Sequence, residues 1–173
     1  TWMQSQGYEA PNLPKKVLFI SSEELLQRYP LLTSKQRENE ICKEFGAVFI
    51  LGIGAKLSDG FIHDERSPDY DDWSLNGDLL VYSNLLKQAV ELSSMGIRVN
   101  KHSLLQQLTT SNTLNRIDKP YHQMILNGQL PYTIGGGIGQ SRLCVFLLQQ
   151  QHIGQVQCSY WEETTYDQYE DIL

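Results

Sequence analysis

Four of the five residues from Gly135 to Gly139 are glycine, and this stretch narrows most what the chain can build. Such a run brings almost no side chain to a core. It lets a backbone approach a ligand closely or take dihedrals that other residues resist. Tyr132-Thr133-Ile134 upstream reads as a short strand, and Leu143 to Leu148 downstream as a buried apolar helix opening at Ser141. A glycine-rich strand feeding a helix is suited to hold a nucleotide. Arg142, in the first helical turn, is informative because the helix dipole alone favours anions there, not cations. Two common phosphate loops are excluded: there is no GxxxxGK[ST], and GxGxxG fails at Gln140. A plain glycine turn between strand and helix is the alternative.

At 173 residues the chain is long enough for one domain with a proper core. A net charge of −6 argues against a general nucleic-acid binder, which shows a basic field, but leaves room for a local cationic pocket. Cys42, Cys144 and Cys158 are odd in number and lack CxxC spacing, so neither a disulfide framework nor a zinc site is indicated. Cys144 sits in an apolar run and is expected to be buried and inert. The longest apolar run, Ala47 to Ala55, is too short and glycine-broken to span a bilayer. With free thiols and no visible signal peptide, the cytosol is the expected compartment. The chain begins at Thr1, which fits a fragment or a processed piece.

Residues 1–14 read as a polar leading segment, followed by a strand at Val17 to Ile20. Ser21 and Ser22 before Glu23-Glu24 predict a helix that stops ahead of Pro30. A second helix is expected from a Thr33 or Ser34 cap to Phe45, with Gly46 just past its end and its charges forming a solvated face. Ala47 to Leu51 is the clearest central strand. Polar residues then crowd from Lys56 to Asp78 in a long loop, as the lining of a site or as a solvated connection. Asp78 to Tyr82 and Gln88 to Leu92 pair around a turn, and the second continues to Val99. Helices follow at Lys101 to Thr109 and Pro120 to Asn127, then a last strand at Ile153 to Tyr160 and a peripheral acidic tail. Neighbouring strand pairs predict an α+β fold whose sheet is mainly antiparallel and flanked by helices.

Asp78 and Glu91 are the candidate magnesium ligands, because magnesium takes one or two carboxylates together with phosphate oxygens. Arg98 and Arg142 are the candidate catalytic cations. Joining a carboxylate to an α-phosphate brings two anions together, and guanidinium forks offset that charge. A structural ion pair between Glu91 and Arg98 is the plainer alternative. No histidine has a metal partner at i+3 or i+4; His63 reads as solvated, His102 and His122 as surface residues, and His152 as packed after a helix. No GxSxG elbow supports a serine triad.

The glycine stretch and its arginine resemble the third signature motif of class II aminoacyl-tRNA synthetases. A wider set of segments resembles one family, the ammonia-dependent asparagine synthetases of bacteria. They are GAVFILGIGAKLSDG from Gly46, HDERSPDYDDWS from His63, LNGDLLV from Leu75, ELSSMGIRV from Glu91, and TIGGGIGQSRL through HIGQVQCSYW. Together they cover most of residues 17–161 in the family's order. The resemblance implies a partial class II synthetase-like catalytic core, a single domain over residues 1–173. Aspartate, ATP and ammonia would give asparagine, AMP and pyrophosphate through a β-aspartyl-adenylate.

It implies that Tyr70, Asp71, Ser93 and Arg98 hold aspartate, with Asp71 on the α-amino group and either carboxylate on Arg98. Asp78 and Glu91 would face ribose, phosphates and Mg2+. Gly135, Gly136, Gly137, Gly139 and Arg142 would lie along the nucleotide. The match extends only to the family's C-terminal half, so a homodimer or pairing with the missing N-terminal half is expected, with no nucleic-acid or membrane partner. The family's short insert is missing here, so Ser74 runs directly into Leu75. A catalytically silent nucleotide- or partner-binding module of the same fold is the competing expectation.

Overall fold

In a computed structural model, residues 2–7, 11 and 13–173 are described. Of the leading segment, residues 1, 8–10 and 12 lie outside them; α1 (Trp2–Ser5) is its helical part. The sheet comprises β1 (Leu18–Ser21), β2 (Ala47–Leu51), β3 (Asp71–Ser83), β4 (Gln88–Arg98) and β5 (Ile134–Ile138), adjacent in that order. β1 and β2 run parallel and the other three pairings are antiparallel, as the α+β expectation required. The parallel pair needs a crossover, made by α2 (Ser22–Arg28) and α3 (Ser34–Phe45). α4 (Lys101–Thr110), α5 (Pro120–Leu126), α6 (Gln140–Leu147) and α7 (Glu163–Gln168) follow.

The helix starts are written locally. Ser21 Oγ accepts the Glu24 N–H at 3.1 Å while Glu24 Oε2 accepts the Ser21 N–H at 2.8 Å. This reciprocal box satisfies two donors that the first turn would leave free. Thr33 and Gln36 repeat it on α3, which ends at Gly46 with φ 79°. Alternation along β2 sends Val48 and Ile50 beneath these helices, where they meet Leu25, Ile41, Cys42 and Leu80. Burying each such aliphatic side chain contributes about 1.5–3 kcal/mol. α6 packs Phe146 against Ala47, Val81 and Leu92, on the opposite face of β2 and β3.

Several expectations are corrected. The polar loop ends at Tyr70, because β3 already begins at Asp71, where Gln107 anchors the backbone of Asp71 and Trp73. The β3–β4 ladder is irregular between Asp71 and Asn76, where Ser74 runs into Leu75. The strand read at Tyr132 to Ile134 lies further on, at Ile134–Ile138, so that the glycine-rich stretch is β5 itself, paired with β4. The last strand does not form: Ile153–Gln155 is a 3₁₀ turn, because His152 Nδ1 accepts the Gly154 N–H and Gln155 Oε1 accepts the N–H groups of Gln151 and His152. α6 opens at Gln140, one residue early, and Cys144 on it is exposed, since Val145 and Phe146 take the inward face. On α3 the charges are not all solvated: Arg37 and Glu38 are buried, Glu38 against His63 and Lys35. His63 and His122 are buried rather than surface residues. Among the described residues no helix is long and apolar enough to cross a membrane.

Candidate active site

Antiparallel pairing brings distant parts of the chain to one place. Asp71 on β3 stands opposite Arg98 on β4, and Ser93 to Ile97 pair with Ile138 to Ile134 on β5. The result is a cavity of about 200 Å³ lined by Tyr70, Asp71, Ser93, Arg98, Gly137 and Arg142, with Glu91, Ser94, Gly136 and Gly139 completing it. Every residue that the resemblance assigned to aspartate is there. Of the nucleotide set, Asp78 and Gly135 are not among the lining residues.

Arg98 is the centre of this arrangement. Its guanidinium is ion-paired with Asp71, donates to Tyr70 Oη at 2.8 Å, and lies 3.8 Å above the Tyr70 ring centroid. A guanidinium held by a carboxylate and a π-face keeps a fixed orientation. The Glu91–Arg98 ion pair weighed from sequence does not form: Glu91 is bound instead to Arg142, with Nη1 to Oε1 at 3.1 Å. The Arg142–Glu91 contact is exposed on the arginine side and marks the other end of the cavity.

The glycines act through space rather than dihedral freedom, for none of Gly135, Gly136, Gly137 or Gly139 has positive φ. A Cβ on Gly135 would collide with the Arg98 guanidinium, and one on Gly136 would lie 2.7 Å from Met95 Cβ. A Cβ on Gly137 would meet nothing within 4 Å, in keeping with its place on the cavity wall. Any side chain at Gly135 would therefore displace the cation, whereas one at Gly137 would enter open space. Ser93 Oγ donates to the Gly137 carbonyl at 2.9 Å, fixing that wall.

Asp78 is buried, faces Ser94 across the β3–β4 pair, and is ion-paired with Arg66. Its Oδ1 has no hydrogen-bond partner. Burial raises its pKa above the ordinary carboxylate value; Arg66 and hydrogen bonding with Ser94 oppose this, and the Glu91 charge adds to it. Among the described residues no three His, Cys, Asp or Glu side chains converge to hold a metal on their own. Magnesium does not require such a cage, since phosphate and water supply most of its ligands. An orphaned carboxylate oxygen at Asp78 fits that donor set.

Sequence reasoning missed the supports. Buried Gln107 on α4 accepts the Trp73 N–H and donates to the carbonyls of Pro68 and Asp71, tying down both ends of the segment that presents Tyr70 and Asp71. His122 on α5 lies with Nε2 2.9 Å from Asp69 Oδ2 and Nδ1 2.5 Å from the Arg116 carbonyl. Burial works to raise the Asp69 pKa, but hydrogen bonds from Ser67 and His122 outweigh it and hold the carboxyl below its usual value. Arg66 lies in the polar stretch from Lys56 to Asp78, whose individual charges carry no local signal of the Asp78 pairing. No spacing rule links Gln107 or His122 to residues 34 to 53 positions away.

The comparisons with known proteins come from both sequence and fold. Residues 3–172 match the family model described as aspartate-ammonia ligase. A Clostridium perfringens aspartate–ammonia ligase is 64% identical over 151 residues, which is 87% of this chain and 45% of that protein. The chain thus spans about half the length of the curated relatives it matches. Among solved structures, the aspartyl-tRNA synthetase of Entamoeba histolytica is similar with TM-score 0.60 and 15% identity, over 90% of this chain and 33% of that one. The asparaginyl-tRNA synthetase of the same organism, in complex with asparaginyl-adenylate, is similar with TM-score 0.55 and 16% identity, over 84% of this chain and 34% of that one. At such identities the likeness shows the fold, a class II synthetase-like core. With a family model covering nearly its whole length, this chain belongs to the aspartate–ammonia ligase family.

Proposed function

We propose that this chain carries the amino-acid and nucleotide site of an enzyme that makes asparagine from aspartate, ATP and ammonia, releasing AMP and pyrophosphate. The observation that carries this reading is the single cavity where Tyr70, Asp71, Ser93 and Arg98 meet Arg142 and the glycine strand. An Asp71–Arg98 ion pair is a receptor for a zwitterion: the α-amino group of aspartate exchanges onto Asp71 and a carboxylate onto Arg98. Two charge-assisted pairs then replace one. The Tyr70 ring, its centroid 3.8 Å from the guanidinium carbon, steadies the cation.

The side-chain carboxylate oxygen attacks the α-phosphorus of ATP and pyrophosphate leaves. Ammonia then attacks the acyl carbon of the β-aspartyl-adenylate, AMP departs with the former carboxylate oxygen, and a proton is released. No covalent enzyme intermediate is needed; positioning and charge stabilisation carry the rate. Arg98 and Arg142 are the catalytic cations, with Arg142 exchanging Glu91 for the nucleotide. Asp78 and Glu91 would hold Mg2+, which would supply charge neutralisation at the phosphates. Asp78 and Glu91 orient ribose and phosphates, and Gly135, Gly136, Gly137 and Gly139 let the nucleotide lie close to β5. The working unit forms by homodimerisation or by pairing with the remainder of the family's chain, and the cytoplasm is its compartment.

An AMP-release and ATP–pyrophosphate exchange assay with aspartate, Mg2+ and ammonium tests the reading. Aspartate-dependent exchange, lost in Asp71→Asn, is the expected result. Exchange with another amino acid but not aspartate overturns the substrate, and ATP binding without exchange in the assembled enzyme overturns the reaction.

A further inference from the structure

His122 is 1% exposed, and the reaction proposed above makes no use of it. It lies on α5, whose Ile125 and Leu126 pack with Leu104 and Leu108 of α4, while its ring reaches the segment that presents Tyr70 and Asp71. Both ring nitrogens face oxygens that accept and do not donate. Nδ1 is 2.5 Å from the Arg116 carbonyl and Nε2 is 2.9 Å from Asp69 Oδ2. Asp69 is held below the usual carboxyl range, so it stands there as a carboxylate. A neutral imidazole carries one N–H, and either tautomer would aim a lone pair at an oxygen lone pair inside the protein. The doubly protonated ring satisfies both contacts. The charged groups around it are Asp69 and Arg116, whose Nη1 stands 3.9 Å from the same Asp69 oxygen; Ser67 Oγ donates to the other oxygen at 2.6 Å. Tyr121, beside it on α5, lies 5.9 Å away between ring centroids, and α4 meets α5 through leucines, which carry no charge.

We propose that His122 is a positioning residue for aspartate: as an imidazolium it clamps Asp69 and so sets the direction in which Tyr70 and Asp71 meet Arg98. Its bearing on aspartate rests on the reading of the cavity given above. Gln107 holds Pro68 and Asp71 by hydrogen bonds from a neutral amide, one on each side of Asp69 and Tyr70. Between those two holds the chain has two residues left to fix. The Val99 N–H, 3.0 Å from the Tyr70 carbonyl, fixes one, and His122 fixes the other through the Asp69 side chain. A bond between a cationic ring and a carboxylate is the stronger kind. Loss of the ring proton removes one of its two bonds, so the clamp holds on the acid side and loosens as pH rises through the titration of the ring. Aspartate then meets Tyr70 and Asp71 less well placed, and the cost falls on aspartate more than on the nucleotide.

Ring spectra, amide exchange and kinetics test it. In proton–nitrogen correlation spectra of the histidine-labelled chain, both ring nitrogens of His122 should appear protonated at neutral pH, with their signals assigned by their absence in His122→Gln. Asp69→Asn keeps the partner's shape and puts a donor in reach, so Nε2 should there lose its proton while Nδ1 keeps the Arg116 carbonyl. Amide exchange at Val99, which reports the hold on Tyr70, should quicken by about tenfold or more in His122→Gln, as loss of a charge-assisted hydrogen bond does, with exchange across β2 unchanged. In the parent, Val99 exchange should rise with pH beyond its intrinsic rate where the His122 ring titrates, and His122→Gln should abolish that excess. Asp69→Asn carries the same exchange comparison should His122→Gln fail to fold. In the assembled enzyme His122→Gln should raise the KM for aspartate about tenfold and leave kcat and the KM for ATP within about twofold. A single protonated nitrogen at neutral pH in the parent, or Val99 exchange that ignores both substitutions, overturns the clamp. An unmoved KM for aspartate overturns its bearing on the substrate. The spectra and the amide exchange need no substrate, so a failed ligase assay leaves the clamp to be decided on them, and a neutral His122 leaves the ligase reading standing.

Discussion

The two ends of the sheet are built on different principles. At the β1–β2 end, Leu25, Ile41, Val48 and Ile50 are completely buried, and the helices that bury them are closed by capping boxes. At the β4–β5 end the strand is mostly glycine, its isoleucines stand in solvent, and the side chains above it are ion pairs rather than a core. The first end supplies stability; the second carries the proposed site and adds little stability. Sites of this kind draw on the weakly packed part of a fold because their groups must exchange partners when ligand arrives. Asp71 pairs with Arg98 and Glu91 with Arg142, and in the proposed reaction each releases its partner for a substrate charge.

The comparison can be broken most directly at Ile41. Ile41→Ala removes a fully buried side chain between α3 and the sheet and should cost about 2–5 kcal/mol in urea unfolding. A loss below 1 kcal/mol would mean that the β1–β2 end is not where stability resides. Gly135→Ala tests the other end. The new methyl meets the Arg98 guanidinium, so overpacking of about 1–3 kcal/mol is expected. It should appear chiefly as weaker aspartate binding in calorimetry, since Arg98 can move away from Asp71 more easily than β4 can move from β5. Equal loss in the unfolding midpoint with unchanged aspartate affinity would make Gly135 structural.

What the sequence disclosed follows the same division. Elements with local signals were legible: the Ser21 and Thr33 caps, the Gly46 stop and the Ala47 to Leu51 strand stand where expected. The residues lining the cavity were legible only through motifs, because their meeting depends on β3, β4 and β5 lying side by side. What failed was whatever depended on a distant partner. His122 looked like a surface residue because nothing near it announces Asp69, and Glu38 looked solvated because His63 lies 25 residues away. The glycine-rich strand was legible, but composition says only that side chains are absent and not why; the reason lies across the sheet in Arg98 and Met95.

A gentler test uses pH. The folded-state pKa of Asp78 is raised above its unfolded value of 3.8, chiefly by burial. The neutral carboxyl is therefore the form that suits the fold. Its contribution is fully present below pH 3.8 and is lost as pH rises through the folded value. Asp78→Asn mimics the neutral form and keeps an acceptor for Arg66. Its stability relative to the parent should grow as pH rises from 3.8 and then level off, by less than the cost of Ile41→Ala. Such a gain, joined to weaker nucleotide binding, would show a carboxylate kept against the interest of the fold. A parent more stable than the variant at neutral pH would show instead that the Arg66 pair outweighs burial.

The smallest effect should come from Ile138→Ala. By residue type this resembles Ile41→Ala, with the same atoms removed from a strand-rich domain. Ile138 is 65% exposed and Ile41 is 0% exposed, so no cavity forms and little apolar surface returns to water. The change in urea unfolding of this chain should stay within about 0.5 kcal/mol, the range of ordinary surface substitutions. The contrast between two isoleucines isolates burial from chemistry. If Ile138→Ala costs as much as Ile41→Ala, the β5 isoleucines are already covered in the isolated chain, either by self-association or by a rearranged tail. Repeating the measurement at tenfold lower protein concentration separates these, because only an intermolecular contact weakens on dilution.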